Sequence, residues 1–498
     1  MQSPSVAPAV LLPGHGRSVR WLGFAGSVLV AIGGLGAGVL PRPDPLWDAP
    51  VLRDLRHGSG PPVCITLAAI GMALLVYAWW RLRTASSPGA VTRTAALWAL
   101  PLMFGPPMFS RDLYSYAAQG LVLARGLDPY RFGPSEIPSG LGADWVTSVS
   151  STWVSTPAPY GPLYLYLASR VAGVSGDNLI VALLALRLLA VVGLIALALI
   201  VPRTAVAFGG DPARAQWLVI ANPLLLAHLV AGGHNEAIML PFLAAAFWVA
   251  TLATGPVRRV LGIAAAAGAL VGLAAAVKVS AVVALPFVVV LVAAAPAWGA
   301  GSWNRLIRAA TLVSVVAVAV FGLVSALAGL GLGWVHALAV TNGVSVQWTS
   351  IPTGWGLAAG WFTSADDAVL AVARALGTLL TAVVLVVLWW RVRTAPAQRV
   401  AGACAAALFV LAVLGESFHP WYLLWALAPL AAAAGSRIAT AMAVLSGVLS
   451  FFVLPDGYNV ARATSVPGTI FDLLLTAGAV YWAVRFVRRR REVLDEHA

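Results

Sequence analysis

Residues 259–297 read RVLGIAAAAGALVGLAAAVKVSAVVALPFVVVLVAAAPA, and their only ionised side chains are Arg259 at the start and Lys278 in the middle. On each side of Lys278 lies an apolar run long enough to cross, as a helix, the ~30 Å hydrocarbon core of a bilayer. Two spans joined by a tight turn are the direct reading. The turn brings a single ammonium to one membrane surface.

The same pattern fills the rest of the chain. Apolar segments recur near 21–40, 63–80, 94–109, 178–201, 215–231, 236–254, 259–277, 279–297, 309–329, 367–390, 400–415, 421–434, 438–454 and 468–487. Of the 498 residues 60% are hydrophobic and 10% charged, with a mean hydropathy of +0.88. That is more apolar surface than a soluble domain can bury. The expectation is an all-α polytopic membrane protein, a bundle of about 12–14 transmembrane helices whose outer loops carry short interfacial helices.

The net charge of +13 reads as topology, with no patch for nucleic acid. Arg17/Arg20, Arg81/Arg83/Arg93, Arg203/Arg214, Arg258/Arg259, Arg305/Arg308, Arg391/Arg393/Arg399, Arg437 and Arg488 to Arg491 fall on one side of the alternating spans. By the positive-inside rule that side is the cytoplasm, with both termini there. Residues 1–20 then form a cytoplasmic tail, 21–487 the domain in the cytoplasmic (inner) membrane, and 488–498 a second, charged cytoplasmic tail. Trp21 to Leu40 has the charge order of a signal peptide, but it is long enough to span and lacks a small-residue cleavage site, so it reads as a retained anchor. Arg42, Arg53 and Arg56 run against the charge rule. Cys64 and Cys404 sit in apolar runs as small hydrophobes, so neither a disulfide framework nor a metal site is expected.

The opposite face receives loops 41–62, 110–177, 232–235, 330–366, 416–420 and 455–467, and nearly every unusual polar residue falls there. Long loops at about 110–177 and 330–366 suit a functional or lid role. The first opens with Ser110-Arg111-Asp112-Leu113-Tyr114-Ser115-Tyr116, and the apolar positions 113, 117, 121 and 124 predict an interfacial helix with Ser110 as N-cap. Asp112 is then either an acid suited to a helix N-terminus or a reacting carboxylate. Thr156-Pro157-Ala158-Pro159-Tyr160-Gly161-Pro162 combines turn formers with aromatic rings of the kind that stack on pyranoses, whereas Asp128, before Pro129, reads as a turn residue.

Gly232-Gly233-His234-Asn235-Glu236 puts an imidazole, an amide and a carboxylate at the edge of the bilayer, where they are costly without partners; Asn235 is also a candidate helix cap. Lys278 is the only lysine in the chain. It either snorkels or meets a phosphate on a membrane-embedded ligand. Gln347-Trp348-Thr349-Ser350, Gly415 to Tyr422 and Pro455-Asp456-Gly457-Tyr458-Asn459 complete the outer constellations. No phosphate-binding loop, zinc motif or nucleophile elbow is present in the sequence, so an enzyme at this face needs a lipid-linked activated donor.

Ser110 to Gly120, Gly126-Leu127-Asp128-Pro129-Tyr130, Thr156 to Pro162, Gly232 to Glu236 and His419-Pro420-Trp421-Tyr422 together resemble the polyprenol-phosphomannose-dependent α-1,6-mannosyltransferases of actinobacterial lipoglycan synthesis. The resemblance covers nearly the whole chain, although Glu236 stands where that family carries Asp as often. It implies a GT-C-like membrane bundle, polyprenyl-phosphate mannose as donor, a lipid-anchored mannan as acceptor, and inversion at the anomeric carbon. Asp112 becomes the candidate general base. Arg111, Tyr114, Tyr160, His234, Asn235, Glu236, Lys278, Trp348, His419, Trp421 and Tyr422 become candidate substrate-binding residues. No cofactor is expected and a divalent metal is not favoured, though Asp112, Glu236 and a recruited phosphate could share one. A transporter or flippase of a lipid-linked sugar competes with this reading, as does a non-catalytic scaffold, but no internal repeat of the transporter kind is found.

Overall fold

The structure is a computed structural model that describes residues 15–138, 142–433 and 435–495. Residues 1–14 of the expected first tail and 496–498 of the second lie outside it. Among the described residues every named element is a helix, and one isolated bridge joins Val453 to Asn459. Inside a bilayer each backbone N–H and C=O must find a protein partner, and a continuously apolar run of spanning length does so as a helix, within its own segment.

Each of the fourteen apolar segments contains a helix, but they are not alike. Eight are long and apolar enough to span: Arg17–Ala37, Gly60–Leu82, Leu179–Ala207, Val257–Val277, Ser302–Leu327, Asp366–Val392, Ala397–Leu414 and Ser465–Phe486. A ninth is the pair Pro212–Val219 and Pro223–Ala231, bent by 43°. Helix length thus supports eight or nine spans among the described residues, below the 12–14 expected. The other five segments, such as Glu236–Thr251, Val279–Ala293 and Leu423–Ala433, are shorter helices. Pro101, Pro241 and Pro429 interrupt three of the five, and a hydropathy window cannot tell a buried short helix from a span.

Arginines and the unusual polar residues separate to opposite helix ends. Arg203 ends one helix and Arg258, Arg305, Arg399 and Arg437 begin others. Asp112 and Glu236 begin helices, and Lys278 closes Val257–Val277, at the other end. Two of the arginines that broke the charge rule have particular places there: Arg56 is buried in an ion pair with Asp44 at 2.8 Å, and Arg42 lines a cavity.

Arg187 fixes this polar end. It lies inside the Leu179–Ala207 helix, 3% exposed, and donates to Met103 O (2.8 Å), Gly105 O (2.6 Å) and Ala231 O (2.8 Å). These carbonyls close the Pro88–Phe104 helix and the wide π turn Leu226–Ala231, where the last C=O groups lack intrahelical partners and carry partial negative charge. One guanidinium therefore caps two helices and holds the Gly232–Glu236 turn that follows. π turns of this kind recur at functional sites.

The Asp112–Ala124 helix forms where the periodicity predicts it, and the rest of the protein covers it: Leu113 to Val122 are all buried. Gly120 allows one close approach. A Cβ at Gly120 would stand 2.5 Å from Ala168 O of the neighbouring Pro162–Val174 helix. Ser110 does accept from the Asp112 N–H (3.1 Å), although Arg111 occupies the cap position itself.

Candidate active site

Asp112, the first residue of its helix, faces the Gly232–Glu236 turn. In that turn Gly233 adopts φ +63°, a left-handed conformation that favours glycine, and the chain reverses to bring His234 Nδ1 within 3.5 Å of Asp112 Oδ2. The Tyr116 hydroxyl reaches the same nitrogen at 3.4 Å. His234 packs against Trp421 at 4.1 Å between ring centroids with the planes tilted by 42°, and His419 stacks on Trp421 at 4.7 Å and 11°.

Beside them Lys278 Nζ stands 2.5 Å from Glu236 Oε1, with the rings of Tyr422 and Trp425 at 4.4 and 5.1 Å. Lys278 therefore turns inward to an acid and does not snorkel. The Gly161 N–H bonds Val277 O (2.9 Å), and a Cβ at Gly161 would fall 2.2 Å from Ala276 O. That close seat lays the Tyr160-Gly161-Pro162 turn on the helix end and puts Tyr160 in the wall around Lys278.

Two cavities meet at Asp112. One, of about 270 Å³, is polar, lined by Arg42, Ser110, Arg111, Thr152, Gln347 and Arg462. The other, of about 380 Å³, is mainly apolar, lined by Tyr160, Lys278, Val279, Val283, Leu338 and Leu411. Val282 on its rim is 45% exposed, so it opens on an apolar surface. Asp112, Trp153, His419 and Trp421 line both. A third cavity of about 430 Å³ adjoins the polar one through Arg42, Arg111 and Asp456 and extends to Trp47.

Burial pushes the Asp112 carboxyl up to about 6, against the lowering effects of the Ser110 hydrogen bond and the Lys278 charge. Burial holds His234 well below the usual imidazole range and brings His419 down to about 4, the Lys278 charge adding to both. Both imidazoles are neutral near pH 7. The site thus holds a carboxylate able to take a proton at neutral pH, uncharged imidazoles and a part-buried, paired ammonium.

Asp112, Arg111, Tyr160, Lys278, His419, Trp421 and Tyr422 thus line the joined cavities. His234, Asn235 and Glu236 are at most 1% exposed and sit behind that wall. Asn235 holds the cap position of its helix without a side-chain capping bond, and among the described residues both polar atoms of its amide are unpartnered. Tyr114 lies elsewhere: its hydroxyl bonds Val39 O (2.7 Å) and ties the helix to the first span. Trp348 bonds Thr464 Oγ1 (3.1 Å), packs on Phe452 and Phe471, and lines neither cavity. Asp128 accepts from the Tyr130 N–H (2.9 Å), the turn role expected of it.

Sequence reading passed over Tyr116, Trp425, Arg187 and Arg462. Arg187 carried a signal, an arginine in the middle of a spanning run. Arg462 carried none.

Residues 20–294 match the family model described as α-(1→6)-mannopyranosyltransferase, N-terminal domain, and residues 348–484 match the MptB C-terminal domain. An α-(1→6)-mannopyranosyltransferase A of Mycobacterium tuberculosis is 37% identical, covering 88% of this chain and 84% of its own. The chain belongs to the α-(1→6)-mannopyranosyltransferase family. A second member, α-(1→6)-mannopyranosyltransferase B of Corynebacterium glutamicum, is 32% identical over 92% of this chain and 79% of its own. No solved structure matches. In this mannosyltransferase family member the family models cover both the segment bearing Asp112, His234 and Lys278 and the one bearing His419 and Arg462.

Proposed function

We propose that the protein transfers mannose from polyprenyl-phosphate mannose to a lipid-anchored mannan, forming an α-1,6 linkage with inversion, at the outer face of the cytoplasmic membrane. The observation that carries this reading is the position of Asp112 where a polar and an apolar cavity meet. A lipid-linked donor needs an apolar channel open to the bilayer, an acceptor sugar needs a polar one, and a base must reach the hydroxyl between them. Asp112 takes the proton of the acceptor 6-hydroxyl as that oxygen attacks the anomeric carbon. The C1–O bond to phosphate breaks on the opposite face, and its electron pair leaves with the phosphate.

The arginine clusters at the other helix ends support the sidedness, with both termini cytoplasmic. The 1–20 and 488–498 tails flank the 21–487 membrane domain in this arrangement. The chain's own residues account for the steps above without a metal.

The direct test is transfer from synthetic polyprenyl-phosphate mannose to an α-1,6-mannoside by the purified full-length protein. Linkage and anomeric configuration are read by NMR. Binding of donor without any product from any mannoside would favour the transporter reading instead.

The cavity that continues past Arg111 to Trp47 suits the inner sugars of the acceptor. Trp47 is 45% exposed, which leaves aromatic surface beside its 4.7 Å ring contact with His57. Trp47→Ala is expected to raise KM about 3- to 10-fold for a tetramannoside, since a stacked aromatic contributes on the order of 1 kcal/mol. A dimannoside should be unaffected. Equal KM changes for both lengths would remove Trp47 from the acceptor path.

A further inference from the structure

The sequence offers Lys278 as the cation for the donor's phosphate, and the geometry removes it from that role. Its ammonium is 2.5 Å from Glu236 Oε1 and lies against two aromatic rings, so its charge is already balanced. Arg111 is committed as well: Nη1 donates to Leu40 O (3.1 Å) and Ser148 O (3.0 Å), and Nη2 lies 3.6 Å from Asp456. Arg42 lines the polar cavity on the side shared with the Trp47 cavity, away from the apolar one.

Arg462 differs from all three. It lines the polar cavity together with Asp112, His419 and Trp421. Its charge is close enough to bear on the His419 imidazole, and His419 forms part of both cavity walls. Among the described residues its guanidinium makes no hydrogen bond or ion pair. The backbone beneath it is fixed: Asn459 Oδ1 accepts from the Ala461 N–H (2.9 Å), Asn459 Nδ2 donates to Gln347 Oε1 (2.9 Å), and the Val460 N–H bonds Phe452 O (3.0 Å). A held backbone carrying an exposed, uncommitted guanidinium in the wall of the sugar-accepting cavity, beside the His419 that both cavities share, is an arrangement suited to a phosphate.

We propose that Arg462 binds the phosphate of the lipid-linked donor at the His419 seam, and that Lys278 serves as the counter-ion of Glu236. The inference rests on the donor reading given above. The chemistry makes the role catalytic as well as binding. The donor phosphate is a diester with one negative charge. As the bond to C1 breaks, it becomes a monoester bearing a second charge, so a cation placed there holds the transition state and the spent carrier more tightly than the donor.

The test uses the full-length protein with synthetic polyprenyl-phosphate mannose as donor and polyprenyl phosphate as product inhibitor. Arg462→Ala is expected to lower kcat/KM for donor on the order of 10²-fold and to raise the inhibition constant of polyprenyl phosphate at least ~10-fold. Acceptor KM should stay within about twofold, and Arg462→Lys should recover part of the loss by restoring the charge. Thermal melting of each variant separates these effects from misfolding. Lys278→Met/Glu236→Gln, which removes the ion pair as a unit, should keep the product inhibition that Arg462→Ala loses. Wild-type turnover combined with unchanged inhibition in Arg462→Ala overturns this inference alone. A wild type that transfers no mannose from this donor overturns the donor reading and the inference with it.

Discussion

Asp112→Asn is expected to lose at least ~10³-fold of mannosyl transfer and to fold as well as wild type, since a positioned general base contributes typically 10²–10⁴-fold. The amide keeps the shape of the carboxylate but cannot take the acceptor's proton. In wild type, burial pushes the carboxyl up to about 6, so kcat/KM should fall as pH drops through that value, and the variant's residual rate should lack the inflection. The stability effect runs the other way. A folded-state pKa above the ordinary 3.8 means the native state binds this proton more tightly than the unfolded chain does. Its stabilising effect is full below pH ~4 and lost as pH rises through about 6, so at pH 7 the part-buried carboxylate costs at most about 3 kcal/mol. Asp112→Asn should therefore melt no lower than wild type at pH 7 in the same detergent. Retained turnover would sink the base assignment, and a lower melting temperature would mean that the loss of activity reports on folding.

What the sequence made legible follows from where single residues contradict their surroundings. Lys278 stands out because it interrupts an apolar run, and Gly232 to Glu236 because three polar side chains occupy a turn between apolar segments. Lys278 lines the site, and the three polar residues of the turn sit directly behind its wall. Their pairing was not legible: Glu236 and Lys278 are 42 positions apart, and only the packing of two helix ends against the Tyr160 turn makes them partners. Tyr114 was misplaced for a related reason. It lies two residues after Asp112 on a helix buried all round, so burial did not tell which side faces the site, and its hydroxyl turns to Val39. Arg187 was hidden by its type, since arginines in this chain read as topology markers until three carbonyls are seen to converge on this one.

The Lys278–Glu236 pair should show the strongest energetic coupling among the site residues. Glu236 is fully buried; among the described residues its Oε2 has no partner, and besides Lys278 only Trp425 Nε1, at 3.4 Å, approaches Oε1. Lys278→Met strands that carboxylate, a change that costs about 3–5 kcal/mol where measured for buried pairs. Lys278→Met/Glu236→Gln removes both charges and should regain most of the loss. The double-mutant cycle, read from melting temperatures in one detergent, is then expected to give a coupling of ~2–4 kcal/mol, and additive single losses would mean the two groups do not interact. The same cycle tests how the pair serves the base. Lys278's charge lowers the Asp112 pKa and Glu236's raises it, so Lys278→Met should move the pH–rate inflection above about 6 and Glu236→Gln below it. The double variant should return it close to the wild-type position. A buried ion pair of this kind contributes little net charge to the phosphate site. What it supplies is a fixed field that sets the pH at which Asp112 can act, with Glu236 behind the cavity wall and Lys278, part of that wall, turned to it.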